Sequence, residues 1–227
     1  MFRKTWFLFA AAMGLVLGTS SREIAIAEAD MPVVHQDDFD TSTAWEPTDA
    51  AAWKIAKTSS GAIYQLAQQS HYKPPHRSPR NISLLRVPVV GDFVLDVKVR
   101  STTPDYGHRD VCLFFGYQDA AHFYYVHLGK KADDHANQIF IVNDAPRTKI
   151  STKTTPGTNW DDQWHAVRVV RKPARGTIEV YFDDMRRPVM TASDKTFRWG
   201  RVGLGSFDDT ADFDHFILRG QKVAPPD

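Results

Sequence analysis

The sequence predicts an all-β protein, with two antiparallel sheets stacked as a jelly-roll sandwich and a concave sheet carrying the site. Three observations lead there. Short β-rich runs recur along the chain with turn residues between them. Two of these runs alternate apolar and polar residues almost without a break. No stretch shows the apolar period of an amphipathic helix. About fourteen candidate strands in one domain of this length require two stacked sheets.

In chain order the candidates are Val33–Phe39, Trp53–Ala56, Ala62–Gln65, Asn81–Leu85, Phe93–Ser101, Val111–Tyr117 and Phe123–Leu128. They continue with Gln138–Val142, Arg147–Thr152, His165–Lys172, Gly176–Asp183, Pro188–Ala192, Gly200–Phe207 and Asp212–Leu218. In the fifth, Phe93, Leu95, Val97 and Val99 point one way and Asp96, Lys98 and Arg100 the other. Trp164–Arg171 alternates in the same manner. The turn Lys172-Pro173-Ala174-Arg175-Gly176 then joins it to Thr177–Phe182, a hairpin by its chemistry.

Composition narrows the function. The chain has 227 residues, 28 Lys+Arg against 27 Asp+Glu, and one Cys. That charge balance leaves no footprint for general nucleic-acid binding. One Cys excludes an intramolecular disulfide framework and a CxxC-type zinc site. A negative mean hydropathy excludes a polytopic membrane protein. Residues 1–29 read as a secretory signal: Arg3 and Lys4, then an apolar Trp6–Leu17, then Ala27-Glu28-Ala29 as an A-x-A cleavage site. The alternative is an uncleaved N-terminal anchor. Cleavage leaves 198 residues with 25 basic and 25 acidic groups, secreted or periplasmic and free of the membrane. The domain then spans 30–221, with 222–227 as a tail.

Three features carry a family resemblance. Asp37-Asp38-Phe39-Asp40 is followed by Trp45, Trp164-His165 leads through a long hairpin to Asp183-Asp184, and Gly200 to Asp209 precedes Phe213-Asp214 in the closing strand. Together they resemble the concanavalin A-like group of lectins, glucanases and polysaccharide lyases. Within it the chain looks most like the 3-keto-disaccharide hydrolase (3-keto-glucoside lyase/hydratase) domain. The resemblance implies the sandwich fold and a sugar or polysaccharide ligand. It does not place catalytic residues one for one, so site residues are read from strand phase and side-chain chemistry.

The stretch from His108 to Arg147 is richest in chemistry. Phe123, Tyr125 and His127 share one strand face, while Tyr124, Val126 and Leu128 share a more apolar one suited to the inter-sheet core. Tyr125 and His127 are therefore expected on the exposed, concave face. Asp110 and Cys112 lie opposite Val111, Leu113 and Phe115, and Asn137 and Asn143 frame the face if it is the concave one. His and Tyr move protons near neutral pH, and Arg and Asn stabilise a carboxylate or an enolate-like intermediate. That set fits β-elimination beside a carbonyl, which a 3-keto sugar supplies. His127 or His108 is then the base, Tyr125 the acid, and Arg147 with Asn143 the charge stabilisers. Asp110, Asn137, Asn143, Arg77 and Tyr72 contact the sugar. The same residues equally suit a lectin-like groove without chemistry, or satisfied strand ends and turns.

Other readings are weaker. The E-x-D-x-x-E motif of laminarinase-type glucanases is absent, and after the signal only Glu46 and Glu179 remain. His108-x-Asp110 with His127 and His135 offers transition-metal ligands at undiagnostic spacing. Asp37, Asp38 and Asp40, with Asp208, Asp209, Asp212 and Asp214, are hard oxygen donors, and Asp38, Asp208 and Asp209 are expected to meet at a structural calcium if the terminal strands pair. The alternative is solvated turns. No organic cofactor is expected. The basic, Pro-rich segment His71–Arg80 can wall a groove for an anionic sugar or be an ordinary surface loop. Cys112 reads as a small buried hydrophobe. A laminin G-like protein-interaction module is the third function class.

Overall fold

The computed structural model describes residues 31–41 and 43–225, so the signal assigned to residues 1–29 lies outside it. The strands are β1 Val33–Asp37, β2 Trp45–Pro47, β3 Trp53–Thr58, β4 Gly61–Leu66, β5 Asn81–Leu85, β6 Val90–Ser101, β7 Asp110–Asp119 and β8 His122–Gly129. After them come β9 Gln138–Asn143, β10 Thr148–Lys149, β11 Ser151–Lys153, β12 His165–Lys172, β13 Thr177–Phe182, β14 Met190–Ser193, β15 Arg201–Ser206 and β16 Ala211–Lys222. Nine form one sheet, in the order β11-β14-β13-β12-β6-β16-β4-β3, with β1 also against β16. The other seven form the second sheet, in the order β10-β9-β8-β7-β15-β5-β2. The pairings are antiparallel, as the sequence predicts for a jelly-roll sandwich.

Alternation explains how the sheets stack. Phe93, Leu95, Val97 and Val99 of β6 are buried, and they meet Val111, Leu113 and Phe115 of β7 and Tyr124, Val126 and Leu128 of β8 in one core. Burying each such side chain contributes about 1.5–3 kcal/mol. The opposite face of β6 is polar: Asp96 accepts from Arg168 Nε at 2.6 Å and from Arg219 Nη1 at 2.9 Å. The β12–β13 hairpin forms at the expected turn, where Gly176 has φ of 78°, a backbone region that costs a side-chain-bearing residue.

Two elements depart from expectation. β2 is only Trp-Glu-Pro and reads as a loop, yet it pairs with β5 along the sheet edge, where a proline is tolerated. The run expected as one strand over Arg147–Thr152 is two, because Thr148–Lys149 joins β9 and Ser151–Lys153 crosses to β14 in the other sheet. Ile150 at the crossing packs against the core. The paired chain also runs past Leu218, with Lys222 opposite Val90.

Gly205 of β15 has no room for a side chain, since a Cβ there would run into the backbone carbonyl of Asn81 on β5. Gly205→Ala is therefore expected to lower unfolding stability by about 1–3 kcal/mol, because the sheet must spread to admit it. A urea titration checks this, and an unchanged midpoint would contradict it.

Candidate functional site

The site is built on the outer face of the seven-stranded sheet. Cys112 lies opposite His127, Phe114 opposite Tyr125, Tyr125 opposite Phe140, and His127 opposite Gln138, so these side chains share one face. That face holds a second apolar cluster of Ile82, Leu84, Cys112, Phe114, Phe123, Tyr125 and Phe140, with Tyr72 and Phe207 packed on it. The strand phase of Tyr125 and His127 is as expected, but their exposure is not: Tyr125 is 0% and His127 4% exposed. The physical reason is visible in the neighbours. Phe114, Phe123 and Phe140 make this face as apolar as a core face, and such a face must be covered.

Asn137 and Asn143 do not frame this face. They share the phase of Ile139 and Ile141, which pack into the inter-sheet core. Asn137, with φ of 54°, is buried, and its side chain ties Thr154, Thr155 and Thr158 together. Asn143 is exposed at the end of β9. His108 is exposed beside Tyr106 on the loop before β7.

Three of the four candidate catalytic residues do converge. Arg147 Nη1 donates to Tyr125 Oη at 2.9 Å, and its guanidinium packs on the rings of Phe207 at 4.2 Å and Phe140 at 4.8 Å. Phe207 also meets His127 edge-on at 6.0 Å. His127 Nδ1 accepts the backbone N–H of Asn137 at 3.1 Å. The ring proton therefore sits on Nε2, which faces Asp110 Oδ2 at 3.4 Å. Burial, and after it the positive Arg147, pushes the His127 pKa down to about 3. Burial holds the Asp110 carboxyl well above its usual range, and the Asp209 carboxylate adds to this against the N–H of Phe207. His127 is therefore neutral and meets Asp110 without forming an ion pair. Burial also raises the Tyr125 hydroxyl and the Cys112 thiol, the latter with Asp110 as its acceptor at 3.3 Å. Cys112 is buried, as its sequence context suggests.

Metal fit can be tested on the same atoms. Asp110, Cys112 and His127 lie close enough to share an ion. With its proton on Nε2 and Nδ1 engaged, however, His127 has no free lone pair for a transition metal. Asp110, Asp208 and Asp209 form a second group, all oxygen donors. Oδ1 of Asp110 is buried without a hydrogen-bond partner, which suits a hard cation such as calcium. Asp38 does not join them, and gathers instead with Asp214 and His215. The terminal strands do pair, but with Asp37 opposite Phe216. That register leaves Asp209 roughly 20 Å further along the chain direction of β16.

Above this layer lies a groove of about 800 Å³ whose lining includes Tyr72, His76, Arg77, Arg80, Phe207 and Asp208. Its wall is the Pro-rich segment, held at several points. Ser70 N–H donates to Asn81 Oδ1 at 2.7 Å, His71 N–H to Asp49 Oδ2 at 2.8 Å, and Arg147 N–H to the Arg77 carbonyl at 3.1 Å. Pro74, Pro75 and Pro79 restrict the rest. The groove therefore stands open without needing a ligand to order it. Tyr72 and Arg77 line it, with Lys73, His76 and Arg80 of the same expected wall segment; Phe207 and Asp208 are additions to that wall. The signal for Phe207 was its phase, following Gly203 and Gly205 on one strand face.

No family model matches the sequence, and no curated protein matches it. Solved structures do resemble the fold. The carbohydrate-binding module CBM66 from Bacillus subtilis is 19% identical, with a TM-score of 0.54 over 78% of this chain and 96% of that one. Domain 4 of AbnA, a GH43 extracellular arabinanase from Geobacillus stearothermophilus solved with arabinotriose, is 11% identical, with a TM-score of 0.55 over 86% and 95%. The exoplasmic/lumenal domain of VIP36, solved with Ca2+ and Man3GlcNAc, is 14% identical, with a TM-score of 0.51 over 85% and 92%. At these identities the likeness is one of fold, and it agrees with the concanavalin A-like sandwich.

Proposed function

We propose that this protein is an exported carbohydrate-binding β-sandwich that seats a sugar in the groove over its seven-stranded sheet and does not turn it over. The observation carrying this reading is the pre-formed groove, with the rings of Tyr72 and Phe207 beside convergent polar groups. The C–H face of a pyranose buries against such rings while its hydroxyls reach the polar wall. The arabinanase domain solved with arabinotriose and the VIP36 domain solved with Man3GlcNAc support it at the level of fold.

The resemblance to the 3-keto-disaccharide hydrolase domain points to lyase or hydrolase chemistry instead. That chemistry needs a base with a free lone pair in contact with substrate. His127 has neither feature, and Tyr125 is sealed beneath the same layer. Binding without turnover is the reading that fits this geometry. Titration of the chain with a panel of neutral and acidic glycans and 3-keto-glucosides tests it. Binding with intact ligand supports it, and steady release of product contradicts it.

A calcium ion held by Asp110, Asp208 and Asp209 belongs to the same proposal. Calcium at about 100 times its Kd is expected to stabilise the fold by about 2.7 kcal/mol, reversed by chelator. Asp208→Ala removes the shift in Tm. A Tm indifferent to calcium would overturn the assignment.

A further inference from the structure

We infer that the groove selects anionic glycans, and that Arg77, Arg80 and Arg147 receive the anion, a uronate carboxylate or a sulfate ester. This rests on the carbohydrate-binding reading and names its ligand class.

Several arginines elsewhere on the surface are matched to acids, while Arg175, Arg186, Arg187 and Arg198 have no acid partner among the described residues. Arg168 and Arg219 hold Asp96, Arg201 holds Glu46 at 2.6 Å, and Arg100 holds Asp212 at 2.5 Å. What distinguishes the groove is that three cations without partners lie together in it. Lys73, Arg77 and Arg80 line it, and among the described residues their side chains have no hydrogen-bond or ion-pair partner. His71 and His76 each face an acid, Asp49 at 3.3 Å and Asp144 at 3.2 Å, so they add little. The one acid in the lining is Asp208. A chain with nearly equal numbers of acids and bases has thus gathered unmatched cations along one groove.

Arg147 adds geometry to charge. It is half-buried, packs on Phe207 and Phe140, and hydrogen-bonds only the neutral Tyr125 hydroxyl through its guanidinium. A guanidinium carries five N–H donors, so most of its fork is unused. Among the described residues no carboxylate pairs with it. The ring contacts fix its plane, so little freedom is lost when a bidentate anion docks. Arg147 N–H bonds the Arg77 carbonyl, and Arg80 N–H bonds the Phe207 carbonyl at 3.1 Å. Arg147 thus packs on the ring proposed to carry the sugar, and Arg77 and Arg80 share the groove lining with that ring. A nucleic acid also presents anions, but the near-neutral chain and the confined groove favour a glycan.

Calorimetry on the full chain tests this with one polymer in two forms: homogalacturonan oligosaccharides with free carboxylates, and the same oligosaccharides methyl-esterified. A sulfated galactan, neutral arabinan and glucan, and a single-stranded oligonucleotide complete the panel. The free acid is expected to bind about tenfold or more tighter than the ester, an advantage that shrinks as salt rises. The Arg77→Ala/Arg80→Ala double variant should lose that advantage, so that acid and ester bind alike. Arg147→Lys, which keeps charge and loses the fork, should lower acid affinity with little change in Tm. If the sulfated galactan takes the place of the free acid with the same arginine dependence, the inference stands with sulfate as the anion. Equal affinity for acid and ester, an advantage that survives the double variant, or an oligonucleotide bound as tightly as the acid would overturn it. Binding of neutral glycans alone sinks this inference and spares the carbohydrate reading; binding of nothing in the panel sinks both.

Discussion

Alanine at both Tyr72 and Phe207 is expected to weaken glycan binding about a hundredfold, and either change alone about tenfold. A sugar ring covering about 50 Å² of an aromatic face gains roughly 1.3 kcal/mol, which is close to a factor of ten. The two rings lie in one groove but on different segments, so their losses should add to a first approximation. Tyr72→Ala is the cleaner variant, because Phe207 also packs on His127 and Arg147. Calorimetry on the folded variants, with Tm as a control, reads the effect. Unchanged affinity in Tyr72→Ala would move the site off the groove.

The second large effect is in stability against pH, where Asp110 and His127 pull in opposite directions. His127 has its folded pKa lowered from 6.5 to about 3. Its contribution is fully present above 6.5 and is lost as pH falls through this window, because the unfolded chain takes up a proton the folded one refuses. Asp110 has its folded pKa raised above 3.8. Its contribution is fully present below 3.8 and is lost as pH rises through the folded value. Above pH 3.8, and as far up as the folded Asp110 stays protonated, the two therefore offset each other. Asp110→Asn removes one side of that balance. The variant should lose up to about 1.4 kcal/mol for each pH unit below 6.5, a steeper acid slope than wild type. His127→Gln should show the opposite sign of change over the same range. Urea titrations at stepped pH measure both, and parallel slopes in wild type and Asp110→Asn would contradict this opposition.

Much of the fold is legible in the sequence because alternation is a local signal. Phe93 to Arg100 and Trp164 to Arg171 state both their strand and their face, and the Pro-Gly turn states the hairpin. β2 is not legible, since three residues including a proline carry no period and owe their strand to pairing with β5. The split at Ile150 is equally non-local, as only the two sheets decide which strand takes each half.

The site is legible in parts. Strand phase brings Tyr125 and His127 to one face, and the Pro-rich loop with Tyr72 and Arg77 does line the groove. What phase cannot state is depth. Alternation assigns side chains to two faces but not whether a loop seals the second one, and so His127 is a locked interior group rather than an open base. The aromatic residues sharing its face were the available hint. Of the two acidic groups expected to meet, Asp38 does reach Asp214, but not Asp208 and Asp209, because pairing of the terminal strands leaves their register free.

The location of the bound sugar tests the central claim most directly. A crystal structure of the full chain with the tightest-binding oligosaccharide should show an intact sugar ring against Tyr72 and Phe207, with Arg77 or Arg80 on its polar edge. A sugar seated on the nine-stranded sheet, or a cleaved product in contact with His127, would contradict it.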